Sequence, residues 1–408
     1  MKQLVSGWVQ RIAASPKGYR LLSVVFRTLL SPHYWWKNRQ AVSLYQKTIS
    51  NATKSGHRVV IIGLAKPANF NFVRGLTEGL KKHPKIHLLF ANLSPDVLAT
   101  EIARVTAAES VIPFGILPLL TCDAFITPKS TLFWNRPRRG LRIHAFHSPV
   151  SLHQVYSEGS FQGFDVFFAN GSHQVRELQG VMKARKQKTY RIFEIGSEII
   201  DVYFADRQPF SALNTLVYGP SWGPTSSVRL FGKAIVAAVL DTGVKLIFRP
   251  HPVSYLHDKT ALSEIEETFA NHPNFSVFDI QKGGRIAPDA DGLISDFSGV
   301  ALEFALGYEK PVFFIDVPQK IMNPNWSAYW HEPGVEKTYR DKIGKLAFSP
   351  EMLGQQIMAL KKAPETFKPM ASQYYDELVF NRGQAADMAI RAVCELLQLP
   401  NLPSTKDL

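Results

Sequence analysis

The chain has 408 residues, long for a single core and natural for two domains. Apolar residues make up 45% and charged residues 20%, a composition that supports buried cores and excludes intrinsic disorder. The formal charge is +13, and the two cysteines, Cys122 and Cys394, are too few and too distant for a zinc knuckle or a disulfide framework, as in a reducing cytoplasm.

The charge is concentrated at the start. Glu78 is the first acidic residue, and before it stand Lys2, Arg11, Lys17, Arg20, Arg27, Lys37, Arg39, Lys47, Lys54, Arg58, Lys66 and Arg74. These cations account for nearly all the net charge. Leu4, Val5, Trp8, Val9 and Ile12 recur at helical spacing, as do Leu21, Leu22, Val25, Phe26, Leu29 and Leu30, with Pro16 and Pro32 punctuating the two segments. Tyr34, Trp35 and Trp36, followed by Lys37 and Arg39, set aromatic rings beside cations, a pairing suited to the headgroup layer of an anionic bilayer. Arg27 interrupts the longest apolar run, so nothing approaches the roughly 20 apolar residues of a span. The expectation is a basic amphipathic helical arm over residues 1–56 that meets an anionic membrane surface through residues 1–40. No long apolar run with a small-residue cleavage site marks a secretory signal. An organelle presequence and a basic cap that binds nucleic acid are the competing readings, and no nucleic-acid partner is expected.

From residue 57 short apolar runs alternate with amphipathic stretches. Strands are predicted at 59–63, 86–91, 122–126, 141–146, 166–169 and 191–195, with helices at about 71–82 and 95–107. After a polar stretch at 206–211 the rhythm restarts, with strands at 215–218, 245–248, 275–278, 292–294 and 312–315. Helices follow at 228–240, 261–270, 299–306, 350–360 and 385–397. Continuous apolar strands spaced by helices imply parallel sheets covered on both faces. The fold class is α/β: two Rossmann-like, doubly wound domains facing a cleft, 57–205 on the acceptor side and 206–408 on the nucleotide-donor side.

Ligands of such sheets sit beyond the carboxyl ends of the strands. Four loops there carry unusual polar residues. His147 leaves the 141–146 strand just before Pro149, where a neutral imidazole is placed to take a proton from a hydroxyl. Pro220, Ser221 and Trp222 leave the first strand of domain two. Arg249 and His251, in Arg249-Pro250-His251-Pro252, suit a diphosphate clamp, because the prolines stiffen the turn and remove competing N–H donors. In Ser295-Asp296-Phe297-Ser298-Gly299, Ser298 occupies an N-cap position and Gly299 allows an anion to approach the free N–H groups of a helix start. A plain helix cap is the bland alternative there. His144, His147 and His153 lack a supporting carboxylate or cysteine, and Asp289 and Asp291 precede a strand rather than end one, so no metal or other cofactor is expected.

In order and spacing these loops resemble the CDP-glycerol glycerophosphotransferase family, the teichoic-acid and capsule polyol-phosphate transferases. His147-Ser148-Pro149 matches the family's His-Gly-Thr-Pro loop, Pro220-Ser221-Trp222 its Pro-Thr-Trp turn, and Arg249-Pro250-His251-Pro252 its Arg-x-His-Pro motif. Residues 295–299 match its Ser/Thr-Asp-Tyr-Ser-Ser signature, Glu303 stands where the family carries an acidic residue, and Phe164-Asp165 fits its first domain. The resemblance spans residues 141–317. It implies a GT-B fold, metal-independent transfer and peripheral attachment to the cytoplasmic face of the cell membrane. His147 would then be the base toward the acceptor hydroxyl. Arg249 and His251 would hold the donor diphosphate, supported by Ser295, Asp296, Ser298 and Gly299. Glu303 would take ribose hydroxyls, Pro220 to Trp222 would shape the nucleotide pocket, and Asp165 would lie on the acceptor side. The reaction implied passes a polyol phosphate, glycerol phosphate first, from a CDP donor to a lipid-linked or polymeric acceptor, releasing CMP. Two departures stand out: the Gly-Thr after the histidine is missing, and Gly223 occupies the basic position that follows Pro-Thr-Trp. The alternatives are a sugar transferase using a UDP- or GDP-sugar and a non-catalytic membrane or nucleic-acid binding protein.

Overall fold

A computed structural model describes residues 16–186, 190–278 and 289–402. The chain builds two parallel sheets. The first comprises β1 (Arg58–Leu64), β2 (Ile86–Asn92), β3 (Val111–Ile112), β4 (Thr121–Thr127), β5 (Arg139–Ala145), β6 (Val166–Ala169) and β7 (Arg191–Glu194), in the order β3-β2-β1-β4-β5-β6-β7. The second comprises β8 (Thr215–Tyr218), β9 (Lys245–Phe248), β10 (Phe275–Val277), β11 (Gly292–Ser295), β12 (Val312–Ile315) and β13 (Lys345–Ala347), in the order β10-β9-β8-β11-β12-β13. Each sheet therefore reverses its strand order once, between β1 and β4 and between β8 and β11. That reversal opens the crevice where doubly wound folds take ligands. Leu216, Val217 and Tyr218 are fully buried, as expected of a strand covered on both faces.

The helices used below are α1 (Pro16–Lys37), α2 (Arg39–Lys54), α3 (Arg74–Lys82), α4 (Ala99–Thr106), α5 (Ser172–Ala184), α6 (Glu198–Ala205), α7 (Ser227–Leu240), α8 (Lys259–Phe269), α9 (Gly299–Tyr308), α10 (Pro350–Lys362) and α11 (Ala385–Leu397). Two of them correct the domain limits read from sequence. The last helix, α11, buries Ala389, Ile390 and Val393 in the first domain's core beside Val60, Ile62 and Leu80. A Cβ at Gly79 of α3 would stand 2.1 Å from Ile390 Cδ1, so the helices meet backbone-close because that residue is glycine. Conversely α6 leaves the first domain: Ile199, Ile200 and Tyr203 pack with α9, and Tyr203 stacks on Tyr308 at 4.5 Å. The chain thus crosses between domains near Gly196 and returns near Gly383. These crossings touch, since Asp201 accepts from the Gly383 and Ala385 amides at 2.7 and 2.8 Å.

The arm is also redrawn. Residues 1–15, which hold the Leu4-to-Ile12 segment, lie outside the described residues. Pro32 sits inside α1 rather than ending it. Helix α2 belongs to the first domain, burying Val42, Tyr45, Ile49 and Ala52 against the sheet. Helix α1 is docked by Tyr19 and Leu22 beside Phe133, and by Tyr34 against Phe114 and Trp134. Its outer side leaves Leu21, Val24, Leu29 and Trp36 exposed. No described helix is long and apolar enough to cross a membrane.

Candidate active site

The carboxyl ends of both sheets meet across a gap. His147, just past the end of β5, is partly exposed, with its ring 5.4 Å from Phe72 and its Nδ1 3.5 Å from Tyr156 Oη. Burial lowers its pKa to about 4, and a hydrogen bond to Pro128 opposes that fall. Proline offers only its carbonyl, so a ring N–H donates to it and the other ring nitrogen keeps its lone pair. The imidazole is therefore neutral throughout the physiological range.

Facing it from the second sheet, His251 follows β9. Burial lowers its pKa to about 3, reinforced by the charges of Lys320, Lys66 and Arg249 and by His147. The influence of His147 on His251 places one imidazole from each sheet in the same electrostatic neighbourhood. The His251 Nδ1 accepts from the Val253 amide at 3.1 Å, which locks the ring in its turn. Arg249 is half-buried, and its Nε, itself sealed from solvent, has no hydrogen-bond partner. Its charge is opposed by Glu303, one turn into α9. Burial raises the Glu303 carboxyl to about 7, against the opposing effects of the Ser148 hydroxyl and Arg249. A half-buried guanidinium with an unsatisfied donor is suited to an incoming phosphate.

Two lysines complete this basic rim, and the sequence reading missed both. Lys320 follows β12, with its Nζ 3.7 Å from the Trp222 ring centre. Burial lowers its pKa to about 8, against the pull of Asp296 and Asp258. Lys66 follows β1 and acts on His251 across the gap. Each is a single lysine just beyond an apolar strand, and that position is the signal that would have found it. Lys320 reaches Trp222 from the loop after another strand and so sets a cation beside that turn.

The remaining predicted residues divide. Ser298 holds the N-cap position of α9 without a side-chain capping bond, so its hydroxyl is not spent on the helix. Gly299 has a different use from the one read in sequence: a Cβ there would stand 2.3 Å from Ser148 Oγ and 2.6 Å from Val150 Cγ1. The glycine admits the first domain's loop, rather than an anion, to the helix start. Ser295 and Asp296 do not face the gap either. The Ser295 hydroxyl donates to the Gly219 carbonyl at 2.7 Å, and Asp296 accepts from the Ser221 and Ser227 amides, both at 2.7 Å. Both are essentially sealed from solvent, so they shape the turn through Pro220 and Ser221. Trp222 stacks on His257 at 5.6 Å besides carrying Lys320. Asp165 is a correction: it precedes β6 and forms a bidentate pair with Arg142, both contacts 2.7 Å. Parallel strands place every amino end on one edge, so Asp165 lies at the far side of the sheet from His147. Asp291 likewise accepts from the Asn214 and Thr215 amides at the start of β8.

Below the gap the domains are clasped by polar groups. Glu336 accepts from the Ser151 amide and hydroxyl at 2.8 and 2.7 Å, and the Gly334 amide donates to Gln154 at 3.1 Å. Asn323 donates to the His153 carbonyl at 3.1 Å. Ser151 and Gln154 are fully buried, so the loop after His147 is fixed by satisfied bonds to the second domain.

No protein-family model and no curated protein matches the chain. Solved structures do. The chain is similar to the S. aureus MnaA–UDP co-structure (11% identity, TM-score 0.57), with 85% of this chain and 99% of that one covered. It is similar to a putative UDP-N-acetylglucosamine 2-epimerase from Listeria monocytogenes (13%, 0.55), with 85% and 99% covered. It is also similar to the wall teichoic acid polymerase TagF soaked with CDPG (15%, 0.52), with 90% and 98% covered. At these identities the likeness defines the architecture: two Rossmann-like domains in the GT-B arrangement, as expected from sequence.

Proposed function

We propose that the chain is a GT-B transferase that passes a polyol phosphate, glycerol phosphate first, from a CDP-activated donor to a hydroxyl of a lipid-linked or polymeric acceptor. The observation that carries this reading is the convergence of neutral His147 from one sheet with Arg249, His251 and Lys320 from the other. In the proposed step the acceptor oxygen forms a bond to the distal phosphorus of the donor, and its proton passes to His147. The bond from that phosphorus to the bridging oxygen breaks, and CMP departs with the electron pair. Phosphoryl transfer asks for positioning and charge stabilisation, which a basic rim supplies. Neither a metal nor another cofactor enters this scheme.

A second reading, an enzyme acting on a UDP-sugar, is favoured by the likeness to the MnaA–UDP co-structure. Thermal shifts with CDP, UDP and GDP at equal concentration separate the two, because a ligand that binds only the folded state raises the melting temperature more the lower its Kd. CDP is expected to give the largest rise. Incubation with CDP-glycerol, CDP-ribitol and a lipid-linked acceptor is then expected to release CMP. A folded protein that turns over none of them overturns the donor assignment.

The membrane part of the proposal places the protein on the cytoplasmic face, held by the outer side of α1. Replacing Leu21, Val24, Leu29 and Trp36 together by serine is expected to reduce sedimentation with anionic liposomes at least tenfold, while neutral liposomes bind weakly throughout. Unchanged sedimentation would assign membrane contact elsewhere.

A further inference from the structure

The connection between β4 and β5 lines most of a half-open cavity of about 200 Å³ beside α1, and none of the residues named for the gap between the sheets lines it. Phe26 of α1, Phe114, Phe133 and Trp134 form aromatic walls, and Lys129 and Asn135 line it with polar groups. Asn135 is only 7% exposed, and neither its amide nitrogen nor its amide oxygen has a hydrogen-bond partner. Native interiors rarely leave both halves of a primary amide unpaired, and such a group marks a place for a polar ligand. The Lys129 ammonium donates to the Leu93 carbonyl at 3.2 Å, one bond for a group with three donors. Phe133 has φ +41°, a left-handed conformation that an aromatic residue seldom holds and that recurs at ligand clamps.

Two neighbours give the cavity a direction. On its outer side it is walled by Phe26 of α1, the same helix whose Leu21, Val24, Leu29 and Trp36 are exposed. On its inner side, Lys129 adjoins Pro128, the residue that orients His147. The cavity therefore stands between an apolar surface and the base.

We infer that this cavity is a lipid subsite, in which the aromatic walls take an apolar chain and Lys129 and Asn135 take its phosphate. The inference deepens the transferase reading and rests on it for the role of the lipid as acceptor carrier. A lipid lying under α1 would insert its chain past Phe26 and bring its head to the His147 side of the loop.

The test uses the full chain and equilibrium dialysis with decyl phosphate below its micellar concentration, decanol and inorganic phosphate. Decyl phosphate is expected to bind saturably, decanol more weakly, and inorganic phosphate not measurably. Lys129→Met and Asn135→Leu should each weaken decyl phosphate at least tenfold and leave decanol unchanged. Thr131→Trp, which fills the cavity from its rim, should abolish both. CDP binding, measured on every sample, reports folding and should stay constant. Decyl phosphate that fails to bind, or that binds equally to Thr131→Trp, overturns the lipid subsite; if CDP still binds there, the transferase reading survives it. Decyl phosphate that binds as expected to a protein without nucleotide affinity keeps the subsite and removes the transferase role. Binding of inorganic phosphate as strong as that of decyl phosphate would show a plain anion site and overturn the inference.

Discussion

His147→Ala is expected to lower the transfer rate by roughly 10²- to 10⁴-fold, the usual contribution of a positioned general base. Nucleotide affinity should stay within about twofold, because in the proposed reaction the ring serves the acceptor side and the donor groups lie on the other sheet. The pH profile gives a sharper check. The imidazole is already neutral above about 4, so the rate should not fall between pH 7 and 5 as it would for an ordinary histidine. The acid limb should appear near 4, where the His147 imidazole takes up its proton. A variant that is folded, binds CDP and keeps more than a tenth of its turnover would remove His147 from the chemistry.

Arg249→Met is expected to weaken CDP binding roughly 10- to 200-fold, from the loss of one strong charge-assisted contact. It also removes the charge that opposes the burial of Glu303. The sign of the stability effect follows from the Glu303 carboxyl being raised to about 7 in the fold. The protonated form is the one the fold prefers, so stability is complete below the unfolded value near 4.5 and falls as pH rises through 7. Without Arg249 the folded value moves higher and the loss continues further into the alkaline range. Melting temperatures from pH 5 to 9 should show a steeper decline for Arg249→Met, and adding Glu303→Gln should flatten it without restoring CDP affinity. A single variant with normal affinity and an unchanged decline would separate Arg249 from both the phosphate and Glu303.

Most of the architecture is legible in the sequence because its strands are buried on both faces. Runs such as Val59 to Ile62 and Val312 to Ile315 have no polar interruption, and periodicity finds them. What escapes has a physical reason. The strands β3 and β13 have two and three residues, too short for a pattern. Helix α5 hides because its buried face carries His173, Gln174 and Glu177, which hold the Pro149, Ser148 and Leu152 backbone and erase the apolar stripe. At the candidate site, the sequence marks the loops that follow the strands but not which way each side chain points. Ser295 and Asp296 lie in a ligand-facing loop and spend themselves on backbone amides and a carbonyl. Asp165 lies within twenty residues of His147 in sequence and at the opposite edge of the sheet in space.

The two crossings between domains run side by side and are pinned together by Asp201. Two crossings joined on one line form a natural hinge, about which the halves would turn as a book opens on its spine. Opening then carries His147 away from His251 along one arc and breaks the Ser151–Glu336 contacts in the same movement. In the proposed transferase, that parting would free the spent nucleotide and withdraw the base in a single movement.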